Sequence, residues 1–259
     1  MVTTLSRKGS RAYSSAVPRV FFFPLLSPLD HLHTDTSFMT AASDTALKKR
    51  NLRGRLRSDR DALSADYRAE CAKHALQHLG TWQLWTAAKL IGSYLPHESE
   101  FDPTLLTQAA RARGADIVCP RVDGKSMSFH HWHAGDRAEA TIGGVLQPLP
   151  AAPVVDAAAI DLFLTPLLGC GDSGMRLGYG GGFYDRLFAL VGGLRLGVGF
   201  ALQRVSDWES EAHDQRLDGF LSEEGLTLFG RMPDTPRRGG RVLQQDWLLV
   251  RSAGPRYSR

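Results

Sequence analysis

The stretch that most restricts this chain is residues 160–182. Residues 160–166 (IDLFLTP) are almost wholly apolar, and a glycine-rich segment, 169–182, separates them from a helical pattern that begins near Phe183. An apolar run without alternating polar positions suits a strand buried on both faces, as in the middle of a parallel sheet covered by helices. Glycines beyond the carboxyl end of such a strand let backbone N–H groups close around an anion without side-chain clash.

The rest of the pattern agrees with that frame. Residues 46–62 read as a basic helix. Ser64 is placed to cap a second helix over 65–79, with apolar positions Cys71, Ala75, Leu76 and Leu79 at helical spacing. Residues 88–95 read as a buried strand, and Asp102-Pro103 opens a helix that Gly114 closes. ADIVCP (115–120) is a further strand, 126–133 a more exposed one, and 195–201 another. Strands alternating with helices predict an α/β fold: three layers, α/β/α, with a mainly parallel central sheet.

Charge distribution argues against a nucleic-acid partner. The net charge of +4 comes from 31 basic and 27 acidic side chains. Residues 1–43 hold four basic and two acidic, and 230–259 hold seven and two, so 44–229 keep 20 basic and 23 acidic. The expected domain is thus slightly acidic and lacks the electrostatic footprint of a phosphate-backbone binder. No apolar run approaches a membrane-spanning length. Cys71, Cys119 and Cys170 are widely spaced, with no CxxC pair, which fits a reducing compartment.

Three parts follow. Residues 1–43 form an extension outside the fold, disordered or non-native. Its composition is that of an organellar transit peptide or of an upstream start with Met39 as the true beginning, and the second reading is preferred. Residues 44–229 form one domain, and 230–259 a basic, mostly flexible tail. The expected location is cytoplasmic, with an organelle as the alternative, and the expected state is a monomer.

Within the domain, four features carry chemistry. The first is Arg176-Leu177-Gly178-Tyr179-Gly180-Gly181-Gly182-Phe183-Tyr184-Asp185-Arg186. It is neither a Walker A loop nor a Rossmann fingerprint, yet it joins glycines, a helix start and two arginines where a phosphate would sit. Asp185 stands close enough to hold a metal on the same phosphates. The second is Lys49 with Arg53, four apart on one helix face. Such a run is commonly solvated surface; the alternative is a phosphate clamp. The third is Glu98 and Glu100, after a strand end, suited to accept from ligand N–H groups. The fourth is 213–218 (HDQRLD), where Asp214 offers a second metal carboxylate.

Other motifs are weaker. GDSG at 171–174 matches a protease nucleophile stretch in the wrong fold context. His130, His131 and His133 lack a partner pair at zinc-finger spacing and read as exposed strand histidines. Trp82, Trp85 and Trp132 read as core or pocket wall.

Taken together and in order, these segments resemble the 5-formyltetrahydrofolate cyclo-ligase family over roughly residues 46–226. RLGYGGGFYDR resembles its signature, KKRNLR (48–53) its basic ATP-binding helix, YLPHESEFD (94–102) its folate-contacting segment, and HDQRLDGFLSEEG (213–225) its closing stretch. The resemblance implies ATP- and Mg²⁺-dependent closure of 5-formyltetrahydrofolate to 5,10-methenyltetrahydrofolate through a phosphorylated formyl group. It implies that Lys49 and Arg53, with Lys48 and Arg50, bind ATP phosphates. Residues Arg176 through Tyr184 would form the nucleotide loop, of which Tyr179, Gly180, Gly181, Gly182 and Phe183 also border the folate. Leu95 and Glu100 would contact the pterin, and Asp185 and Asp214 would hold Mg²⁺. Lys49, Arg53 and Asp185 are the implied catalytic residues. Some members carry basic residues where this chain has Tyr179 and Gly181, and a tyrosine where it has Phe183. More weight therefore falls on Lys49, Arg53, Arg176 and Mg²⁺. Two other readings remain at this point: a small-metabolite kinase of the same fold, and a non-catalytic folate or nucleotide binder.

Overall fold

The computed structural model describes residues 36–80, 82–211 and 213–230, with backbone alone for 36–43. The helices are α1 (Thr36–Asp61), α2 (Ala65–Leu79), α3 (Gln83–Ala87), α4 (Thr104–Ala112) and α5 (Phe183–Phe188). The strands are β1 (Leu90–Gly92), β2 (Asp116–Asp123), β3 (Ser126–His131), β4 (Ala138–Ala140), β5 (Leu146–Pro148), β6 (Val154–Val155), β7 (Leu162–Pro166), β8 (Gly169–Gly171), β9 (Arg176–Leu177), β10 (Leu194–Val198), β11 (Arg204–Val205), β12 (Gly219–Ser222) and β13 (Gly225–Leu228).

The main sheet runs β13-β12-β10-β7-β1-β2-β3-β6. Its middle, β12-β10-β7-β1-β2, is parallel, and antiparallel strands close both edges. Strand period decides the layers. Leu162 and Leu164 of β7 join Ile117 and Cys119 of β2 in a core covered by α2, α3 and α4. The intervening Phe163 and Val118 point to the other face, against Leu187 and Phe188 of α5. The expected α/β/α sandwich with a mainly parallel centre is what the chain forms.

Topology positions a crevice. From β1 the chain moves outward to β2; after the β3–β6 excursion it returns to the other side of β1 as β7 and continues to β10. Successive connections thus diverge between β1 and β7, and a cleft opens there beyond the strands' carboxyl ends.

Several elements differ from the sequence expectation. The first helix starts at Thr36, not near 46, so the segment set outside the fold contributes backbone to α1. Residues 1–35 and 231–259, with the leader and tail readings attached to them, lie outside the described residues. The helix over 65–79 matches its expected bounds, and the Ser64 hydroxyl accepts from the Tyr67 N–H at 3.2 Å. The segment 169–182 is not continuous loop. Its first half folds back as the β8–β9 hairpin, which puts GDSG in a turn. His130 is buried, not exposed: Ser128 Oγ and the Ala152 carbonyl engage its two ring nitrogens at 2.9 and 2.7 Å. Trp85 lies in the core, as expected. No helix among the described residues is long and apolar enough to cross a membrane.

Candidate active site

A cavity of about 660 Å³ occupies the crevice between the ends of β1 and β7. The segment after β1 supplies Tyr94, Leu95, His97 and Glu100; β7 supplies its last residue, Pro166, and the chain after it residues 176–185. Two glycines are required by backbone geometry. Gly180 (φ 100°) and Gly182 (φ 64°) both occupy the left-handed region, and Gly182 immediately precedes α5. That helix has only six residues, so loop N–H groups and neighbouring side chains, rather than a long helix dipole, set the polarity of this wall.

One end of the cavity is built from charges that hold one another. The buried positions of α1 recur at Thr45, Lys49, Leu56 and Arg60, so this basic helix turns cations inward. Lys49 is 5 % exposed, and its ammonium lies 2.6 Å from Glu211 and 2.8 Å from Asp214. Burial works to lower the Lys49 pKa, but these two carboxylates outweigh it and hold the ammonium above its ordinary value. Burial likewise opposes ionised Asp214, while Lys49 and the Glu211 N–H at 2.8 Å keep that carboxyl below the usual range. Arg53 Nε donates to the Gly178 carbonyl at 2.8 Å, which ties α1 to the glycine loop. Arg176 donates to the Pro166 carbonyl and pairs with Asp185 at 3.2 Å. Burial depresses the Arg176 guanidinium pKa, and Asp185 opposes that shift. The second Asp185 oxygen accepts from the Gln215 N–H at 3.3 Å, which sets Asp185 beside the segment carrying Asp214.

The other end is drier. Leu95, Pro120, Val122, Met127, Val145 and Leu146 give it an apolar wall. Within it, Glu100 accepts from the His97 N–H at 2.9 Å. Burial pushes the Glu100 carboxyl above its ordinary value, and the His97 N–H, Tyr179 and Arg60 pull it partly back. Burial raises the Tyr184 phenol, and partial burial together with the Glu100 charge raises that of Tyr179, so both are neutral donors at physiological pH. The Tyr184 hydroxyl is buried without a hydrogen-bond partner. The wall is therefore a mainly apolar slot in which Glu100 is the one carboxylate among these residues.

The family profile of 5-formyltetrahydrofolate cyclo-ligases matches residues 45–223. The chain belongs to that family. The curated 5-formyltetrahydrofolate cyclo-ligase of Escherichia coli K12 is 25% identical over 135 residues, covering 51% of this chain and 74% of the relative. The NMR structure of Aquifex aeolicus 5,10-methenyltetrahydrofolate synthetase superposes with a TM-score of 0.63 at 25% identity, over 71% of this chain and 95% of that one. A Mycoplasma pneumoniae 5,10-methenyltetrahydrofolate synthetase shares the fold, with a TM-score of 0.56 at 21% identity over 68% and 98%. Membership makes this chain a ligase-type enzyme of folate one-carbon metabolism.

The cyclo-ligase cavity brings together Lys49, Arg53, Leu95, Glu100, Asp214 and the run from Arg176 to Asp185. Lys48 and Arg50 are not among its lining residues. Each helical step turns about 100°, so the sequence neighbours of Lys49 leave its face. Lys48 instead pairs with Asp44 at 2.5 Å on the exposed side, and Arg50 is exposed. Glu98 also turns outward: it has a φ of 53° and pairs with Arg57 at the cavity mouth. Sequence reasoning missed Glu211, Trp208 and the β4–β5 hairpin that carries Val145 and Leu146 to the apolar wall. An apolar Trp208 in the polar run SDWESE was the available signal.

Proposed function

We propose that this chain catalyses the ATP- and Mg²⁺-dependent cyclisation of 5-formyltetrahydrofolate to 5,10-methenyltetrahydrofolate, releasing ADP and phosphate. The supporting observation is that Lys49, Arg53, Arg176, Asp185 and Asp214 line the same cavity as Glu100 and an apolar slot. A triphosphate and a reduced pterin then have one place in which to meet. In this reading residues 44–229 are the ATP- and folate-binding domain of a monomeric cytoplasmic enzyme that needs neither nucleic acid nor membrane.

The formyl group is a formamide, whose carbonyl carbon is deactivated by nitrogen donation. The reaction uses its oxygen as nucleophile: an O–P bond forms to the γ-phosphorus of ATP, and the bond to ADP breaks. The formyl carbon, now bearing a phosphate leaving group, accepts N10 of the folate. The N10 proton passes to solvent, phosphate departs with the former formyl oxygen, and the methenyl bridge remains. No protein nucleophile is required; alignment and charge stabilisation carry the rate.

The residues divide that work. Lys49, Arg53 and Arg176 neutralise phosphate charge, and the N–H groups around Gly178 to Gly182 cradle phosphate oxygens. Leu95 and the apolar wall seat the pterin, and Glu100 accepts from its N–H groups. Asp185, Asp214 and the adjacent Glu211 offer only oxygen donors, which suits a hard, partly hydrated Mg²⁺; Glu211, His213 and Asp214 place ligand atoms within 4.8 Å of one another. Bound there with ATP, the ion would draw charge from the phosphates as the O–P bond forms. Lys49 and Arg176 each already hold a carboxylate, so nucleotide entry exchanges protein partners for phosphate and metal.

Mixing the protein with 5-formyltetrahydrofolate, ATP and Mg²⁺ tests the reading directly. Methenyl formation raises near-ultraviolet absorbance, and the rise should need all three components. Binding of both substrates without any rise would leave a sequestering protein; ADP release without methenyl formation would leave a kinase.

A further inference from the structure

Arg60 is the least exposed charged side chain among the described residues, at 0 %. It follows Lys49 and Arg53 along the inward face of α1 but does not line the cavity. Its Nε donates to Ser99 Oγ at 2.9 Å, and Ser99 in turn donates to Asp61. Neither terminal nitrogen makes a well-aligned hydrogen bond, and the one polar group they approach is the Tyr179 hydroxyl. A guanidinium removed from water with so few acceptors is unfavourable on its own, so its retention calls for a neighbouring group that needs its charge.

Two such groups are present, and both face the cavity. The Tyr179 ring centroid lies 5.8 Å from the Arg60 guanidinium carbon, within cation–π range, while that side chain stays 45 % exposed. Glu100 follows Ser99 in the chain, and the Arg60 charge favours its ionised form. Tyr179 belongs to the glycine loop and Glu100 to the segment after β1. One buried cation therefore sits behind groups from both sides of the crevice.

We propose that Arg60 is a positioning residue for the folate end of the cavity, fixing the Glu100 carboxylate and the Tyr179 ring from beneath the floor on which the pterin rests. This inference rests on the functional reading above. It makes Arg60 act on the folate through two other side chains, without touching substrate.

The test is a split between substrates. Arg60→Met should raise the KM for 5-formyltetrahydrofolate about tenfold, with kcat and the KM for ATP within about twofold of wild type. Arg60→Lys keeps the charge but loses the fork, so its folate KM should fall between the two, about threefold above wild type. In a double variant with Glu100→Gln, the combined effect should be smaller than the product of the separate ones. Equal rises in both KM values, or effects that multiply independently, would overturn the proposal. If Arg60→Met does not fold, Arg60→Lys decides: a wild-type folate KM, or a parallel rise for ATP, sinks the idea. Calorimetry of folate binding on the same proteins separates this from the reaction itself. A wild-type chain that binds 5-formyltetrahydrofolate without turnover refutes the reaction alone, and the Arg60 variants are then ranked by affinity. Wild-type affinity in both Arg60 variants refutes the inference alone, and no folate binding by the wild type refutes both.

Discussion

The two ends of the cavity are stabilised in opposite ways. At the charged end, where the proposed function seats the phosphates, α1 meets segments more than 120 residues away through Lys49, Arg53 and their partners, and each cation already has an oxygen to bind. At the other, where the proposed function seats the folate, Leu95, Met127 and Leu146 form a wall around one half-buried carboxylate, Glu100. The first end is a network of exchangeable charges, and the second is shape plus one polar anchor. On the proposed function, loss of a charge should therefore act on the chemical step, because phosphoryl transfer would concentrate charge there. Loss of a wall residue should act on binding.

The largest effects are expected at the phosphate end. Lys49→Ala and Asp185→Asn should each lower kcat by about 10²-fold or more, from roughly 2–4 kcal/mol of lost transition-state stabilisation. Asparagine is the better probe at 185. Asp185 is the charge partner of Arg176, whose side chain is only 5 % exposed, and removing such a partner outright costs about 3–5 kcal/mol of fold stability. Steady-state kinetics on folded variants checks the claim. A Lys49→Ala enzyme with near-normal kcat and only a raised ATP KM would erase the contrast between the two ends.

The next effect is smaller and specific for folate. Glu100→Gln should weaken 5-formyltetrahydrofolate binding about tenfold while ATP affinity holds, since a hydrogen bond to a charged acceptor contributes about 1.5–3 kcal/mol. Acidity sharpens this. Burial raises the Glu100 carboxyl above 4.5, so folate affinity should begin to fall at a pH above that value as the carboxylate is protonated. The stability contribution of Glu100 has the opposite trend: it is fully present below 4.5 and is lost as pH rises through the raised folded value. Asp214 is held below 3.8, so its contribution is present above 3.8 and lost only as pH falls through its lower folded value. There is consequently a mildly acidic window in which the folate end titrates and the Asp214 pair does not. Calorimetric titration of each ligand across that window should show folate binding weakening first. A Glu100→Gln variant with the wild-type pH profile would remove Glu100 as the titrating group.

What the sequence made legible follows from range. The α2 cap, the apolar β7 run and the glycines at 180 and 182 are local properties of consecutive residues, and they were readable as such. The spacing of Lys49 and Arg53 put them on one face, yet a run of lysine and arginine also describes solvated surface. Only the acids Glu211 and Asp214, about 160 residues onward, explain why that face can point inward. Arg60 escaped notice for the same reason, since its burial depends on Ser99, Glu100 and Tyr179. His130 looked exposed because its acceptor, the Ala152 carbonyl, lies beyond a hairpin. The β4–β5 hairpin itself has no distinctive periodicity, so the apolar wall it completes was not legible at all.

The smallest expected effect belongs to that hairpin, and it probes the folate end without touching charge. Leu146 lines the cavity yet is 45 % exposed, and it sits on a two-stranded sheet separate from the main one. Its truncation leaves no large void in a core, so the fold should be nearly indifferent to Leu146→Ala. If the side chain covers the pterin, the variant loses part of one leucine's apolar contact, about 1 kcal/mol. That corresponds to roughly a fivefold rise in folate KM, with ATP KM and kcat unchanged. Steady-state kinetics with each substrate varied in turn measures this. An equal rise in both KM values would mean that the hairpin spans the two ends, so that the cavity is one undivided surface instead of a charged half and an apolar half.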